Sequence, residues 1–105
     1  MVSKAKYWVF ICSLLLAVLT GCASSPPRDL IERNNHAGLA SWYQEEAVHL
    51  RARAEEMREM EKDYETRMTK PQQRSVLIQH CRNLVEKYTK AAAEAEALAK
   101  LHAEQ

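Results

Sequence analysis

Little in this sequence interrupts a helix. Glycine occurs twice and proline three times in 105 residues, and past residue 28 only Gly38 and Pro71 remain. Without a glycine-rich turn there is no loop of the kind that cradles a phosphate or a substrate, so no small-molecule substrate is evident. Charge of one sign is missing as well: 15 Lys and Arg stand against 14 Asp and Glu. That balance lacks the concentrated basic face that nucleic acid requires. Long hydrophobic runs are also missing. The longest apolar stretch, residues 7–19, makes a helix of about 20 Å, well short of the roughly 30 Å hydrocarbon core. A membrane-spanning anchor is therefore not expected.

What that short stretch does is set by its flanks. Lys4 and Lys6 precede it, and the polar, turn-prone Ala23-Ser24-Ser25-Pro26-Pro27 follows it. A cationic start, a brief apolar segment and small residues at its end make a secretory signal, which is excluded from the fold. Its last residues, Leu19-Thr20-Gly21-Cys22, resemble the lipobox of bacterial lipoproteins. The resemblance implies cleavage between Gly21 and Cys22, a diacylglycerol thioether on the Cys22 thiol, and a fatty acyl group such as palmitate on its new amine. Cys12 follows the bulky Ile11 and is expected to be passive filler. Two or three acyl chains hold a protein firmly on a bilayer, where one does so only marginally. The resemblance further implies that Ala23, not being Asp, carries no inner-membrane retention signal. The expected location is then the outer membrane, facing the periplasm.

Removal of residues 1–21 leaves 84, with 13 basic residues against 14 acidic ones once Lys4 and Lys6 are gone. Residues 22–28 read as the lipidated cysteine and an extended tether, stiffened by the paired prolines. Residues 29–105 are rich in Ala, Glu, Lys, Arg and Leu, the composition of long helices. A first helix can begin after Asp29, with Glu32 completing a capping box, or after Asn35. Gly38 costs its early turns about 1 kcal/mol relative to Ala, so fraying before Leu39 is expected. Lys70 precedes a proline and is pushed out of the helical region, while Pro71 suits the first turn of a new helix. The expected helices span about 35–69 and 72–103.

The apolar period sets the expected architecture. In the first helix His36, Tyr43, Leu50, Met57 and Tyr64 recur every seven residues, with Ala40, Ala47, Ala54 and Met68 on the companion row. In the second, Leu77, Leu84, Ala91 and Leu98 recur likewise, with Cys81, Tyr88, Ala95 and His102. Two such seams joined by a short turn predict an all-α, antiparallel two-helix hairpin with coiled-coil packing. Folding about residue 71 sets Tyr64 near Ile78, Met57 near Val85, Leu50 near Ala92 and Tyr43 near Ala99. Because Ile78, Val85, Ala92 and Ala99 widen the apolar stripe of the second helix, one partner helix does not cover it. Dimerisation into a four-helix bundle, or docking on another envelope protein, is expected. Arg82, Glu86, Lys90 and Glu94 are expected to form a solvated ladder.

Chemistry is weighed against that scaffold. His36 and His102 fall on the seams at the open end, where they can approach each other, and neutral imidazoles suit zinc, copper or iron. Glu46 and His49 have the spacing of di-iron bundles, but His49 lies far from the seam centre and should face water. His80 and Cys81 lie mid-hairpin, level with Glu61, and the three are expected to form a polar layer. Adjacent helical residues point about 100° apart, so His80 is poorly placed to activate Cys81, and no catalysis is expected. Cys81 is the one thiol left after lipidation; it is expected to be a buried, inert thiol packing as a small hydrophobe, with an intermolecular disulfide as the alternative. Trp42 is expected to cap the edge of the seam. The run of His36, Ala40, Tyr43, Glu46 and Ala47, followed by His80-Cys81, Leu84 and Tyr88, resembles small helical lipoproteins of bacterial envelopes. That likeness carries no activity with it. The expected role is a lipid-anchored, non-enzymatic envelope component without a bound cofactor. The alternative is a periplasmic metal- or haem-binding module using His36, His102 and His80.

Overall fold

The computed structural model describes residues 4, 6–8 and 25–105. Cys12, the Leu19-Thr20-Gly21-Cys22 motif and its cleavage point lie outside the described residues. Within residues 25–105 three helices follow in order: α1 over Arg28–Glu32, α2 over His36–Arg67 and α3 over Pro71–Ala103. The two long ones pack against each other as an antiparallel hairpin, each arm about 50 Å long at 1.5 Å per residue. Among the described residues there is no strand, and no helix is long and apolar enough to cross a membrane.

Of the two anticipated starting points the one after Asn35 is used, while α1 begins at Arg28, before Asp29 rather than after it. The chain enters α1 at Pro27 with no side-chain cap, so the capping box expected of Asp29 and Glu32 does not form; Asp29 sits in the first turn instead. There its charge meets the positive end of the helix dipole. Asn34 then adopts φ 51, a left-handed conformation that Asn tolerates better than most residues. This breaks α1 from α2. Asn35 caps α2, its side-chain oxygen accepting from the Gly38 N–H at 2.9 Å. Gly38 does not fray the helix, because it is where the corner closes. A Cβ there would stand 3.0 Å from the Asn35 Cγ and 3.0 Å from a Leu30 methyl. Leu39, beneath that contact, is buried.

The hairpin turn obeys the expected proline logic. α2 stops at Arg67, the Met68 N–H still reaching the Tyr64 carbonyl at 3.2 Å. Lys70 is extended at ψ 110, and Pro71 takes the first position of α3.

Alanine makes the core. Ala40, Ala47 and Ala54 of α2 are buried against Ala92, Ala95, Ala99 and Cys81 of α3. Tyr43, Leu50, Met57, Tyr64 and Met68 are half-buried beside them, so the α2 seam is the expected one. The α3 seam is not. Leu84 and Leu98 are each 37% exposed and Ala91 is exposed, whereas Ala92 is 0% exposed and Val85 and Ile78 are half-buried. The helix is turned so that Ile78, Val85, Ala92 and Ala99 face α2, with Cys81, Tyr88, Ala95 and His102 completing the row. Both rows repeat at seven residues, so periodicity alone does not choose between them. Close packing does: methyl-sized side chains let the backbones approach and bring more atoms into dispersion contact, while the leucines would hold them apart.

This choice has a measurable consequence. Ala92→Leu should lower stability by about 1–3 kcal/mol through overpacking, whereas Leu84→Ala should cost less than about 1 kcal/mol because the side chain is already partly in water. Thermal unfolding of the two variants decides the register; the reverse order would restore the leucine seam.

Candidate functional site

Two places gather chemically capable side chains. The first is the open end of the hairpin, where α2 begins and α3 ends. His36 Nδ1 and His102 Nδ1 stand 3.0 Å apart, both side chains half-buried. The rings are stacked at 5.3 Å, and Tyr43 lies flat on His102, with centroids 5.7 Å apart and planes 2° from parallel. Trp42 meets the Tyr43 ring edge-on at 5.0 Å, at the rim position expected of it. Antiparallel pairing assembles this cluster by bringing together residues 66 positions apart.

A hydrogen bond between the two Nδ1 atoms needs one to carry a proton and the other to be bare. If both Nδ1 atoms are bare, they form a two-nitrogen bite. Two nitrogens on a tetrahedral zinc ion, at about 2.0–2.1 Å each, stand about 3.3 Å apart. The observed spacing is close to that. Among the described residues, however, no group of three or more His, Cys, Asp or Glu side chains converges on a common point. His80 does not join this pair. It is exposed on α3, and the 22 residues separating it from His102 span about 33 Å of helix. His49 is exposed, as its position on α2 predicts.

The second place is mid-hairpin. Cys81 is free and 3% exposed. Burial first, and the Glu61 carboxylate second, push its thiol above the ordinary value. The expected layer of Glu61, His80 and Cys81 does not form. His80 points to solvent, and the partner of Glu61 is Arg82, whose Nε donates to Oε1 at 2.6 Å. Arg82 also lies 3.8 Å from Glu65, so it reaches across to α2 and leaves the ladder expected along α3. Of that ladder the Glu86–Lys90 step is formed, at 2.8 Å. The closed hairpin buries Cys81, the surroundings of the inert, hydrophobe-like thiol expected of it.

The ion pairs that tie the helices were missed from the sequence, though a signal for them exists. Arg82–Glu61 and Arg51–Glu96, the latter at 2.8 Å, include one residue beside the seam from each arm or from the seam itself. Opposite charges at such flanking positions are what antiparallel pairing brings together. Both pairs involve largely exposed arginines and are worth no more than about 1 kcal/mol each. Their contribution is to register.

The raised Cys81 thiol predicts an alkaline weakness. A group that holds its proton more tightly when folded has its stabilising effect fully present below the unfolded value. That effect is lost as pH rises through the folded one. Stability should therefore fall as pH climbs from about 9, and less steeply in Cys81→Ala. Chemical unfolding at stepped pH reads this; equal slopes in both proteins would contradict it.

No protein-family model, no curated protein and no solved structure matches this chain, so no residue role is carried over from another protein.

Proposed function

We propose that this chain is a lipid-anchored protein of the bacterial envelope. In this reading its helical hairpin acts by contact, as a structural or interaction component without catalysis. The observation that carries it is the Leu19-Thr20-Gly21-Cys22 motif, set between a short apolar run and a polar tether with paired prolines. The hairpin supports the same reading. Its long arms meet through a seam of alanines, a form suited to presenting side chains along a rod. On this reading Cys22 carries diacylglycerol and a fatty acyl group, and the default destination is the outer membrane with the hairpin in the periplasm. Partners are then the membrane and another copy of the chain or a second envelope protein. The decisive experiment is Cys22→Ser with palmitate labelling and membrane fractionation. The variant should keep its leader, take up no label and lose its firm hold on membranes. Normal maturation and retention of Cys22→Ser would end the proposal.

One observation favours a second reading, a metal-binding module at the open end: the 3.0 Å approach of His36 Nδ1 to His102 Nδ1. It rests on those two residues without His80. Zinc and cuprous ions are the probes. Binding by the full chain at one site per chain, or one per two chains, and its loss in His36→Ala with His102→Ala would support the module. Identical binding by parent and double variant would dismiss it.

A further inference from the structure

The hairpin has two flanks, and they differ. One is latched by Arg51–Glu96 and Arg82–Glu61. The other carries the leucine row that α3 turns away from α2: half-buried Leu77, exposed Leu84, Ala91 and Leu98, with exposed Met60 of α2 at the same edge. Just outside lie His80, Lys87, Glu94 and Leu101, all exposed. Taken together, positions 77, 80, 84, 87, 91, 94, 98 and 101 advance by alternating steps of three and four. That is a second seven-residue seam on the same helix, and no described residue covers it.

The charges on this second seam select its occupant. We infer that α3 pairs antiparallel with α3 of a second copy, about a twofold axis at Ala91. Leu84 and Leu98 lie seven residues to either side of that axis, so each meets the other residue in the second copy. Lys87 lies four residues before Ala91 and Glu94 three after it. The same axis therefore brings Lys87 of each copy against Glu94 of the other, within one residue of helical rise. His80 comes opposite Leu101. Ala91, the smallest residue of the row, sits where the two backbones cross. A parallel pairing would instead set Lys87 beside Lys87 and Glu94 beside Glu94, which repel. A self-complementary patch of this kind closes on itself with two copies. The open ends of the two hairpins then point in opposite directions.

This deepens the contact role proposed above by naming the partner. It does not need the lipid, so its failure would leave the anchor reading to stand or fall on Cys22→Ser. The experiment uses the full chain in mild detergent with Cys12→Ser, Cys22→Ser and Cys81→Ala, so that disulfides form only at single added cysteines. Ala91→Cys should cross-link to itself. Leu84→Cys and Leu98→Cys should each fail alone and cross-link when mixed. Lys87→Glu should weaken the dimer by about tenfold in Kd, since each 1.4 kcal/mol is a factor of ten, and Glu94→Lys added to it should restore the affinity. Circular dichroism checks that each variant keeps its helices. Self-cross-linking of Leu84→Cys would overturn the antiparallel arrangement. So would a parent chain that stays monomeric at roughly 0.1 mM, or a Leu84→Cys thiol shielded only when phospholipid vesicles are added.

Discussion

The structure depends on how closely two helix backbones approach. With Ala40, Ala47 and Ala54 facing Ala92, Ala95 and Ala99, the arms pack through methyl groups, and the larger half-buried side chains fill in around them. An alanine core buries little apolar surface per residue. It compensates through many close contacts between the helices themselves. The same constraint decides which face of α3 turns inward, and therefore which face is left out. The exposed leucine row is the direct result of an alanine-first seam.

The ends of the hairpin are governed by different physics. At the closed end a three-residue link suffices because Lys70 is extended and Pro71 starts α3 with its missing N–H in a position that needs none. At the open end, the corner between α1 and α2 relies on Asn34 at positive φ, the Asn35 cap and the bare Cα of Gly38. This corner positions His36 at the very start of α2, opposite His102 near the end of α3. The imidazole pair is thus a property of the hairpin's length match.

Charge plays a secondary, directional part. Glu61 occupies a seam position that would otherwise be apolar, and the chain resolves this by swinging Arg82 across to it at 2.6 Å. Such a pair adds little net stability, but it makes one register and one flank more favourable than the alternatives. It also holds negative charge near the buried Cys81 thiol, reinforcing the protonated form. The cysteine therefore behaves as a small apolar side chain of the core.

Much of this was legible in the amino acids. The helices, their break at Lys70-Pro71, the antiparallel hairpin, the α2 seam and the meeting of His36 with His102 all follow from local conformational preferences and a seven-residue period. The approach of Ala92 and its row to α2 follows as well, but the displacement of the leucine row does not, because Leu84 and Ala92 repeat with equal regularity and only the packing of the backbones separates them. The partner of Glu61 is undetermined for a related reason. His80 and Arg82 flank Cys81 on opposite sides, and a turn of the helix by a fraction of a residue decides which one reaches α2. Sequence by itself determined that two long helices must pair and where the chain must bend. Tertiary packing decided which faces meet, because a choice between two equally periodic stripes is made by the space between helices and by no residue alone.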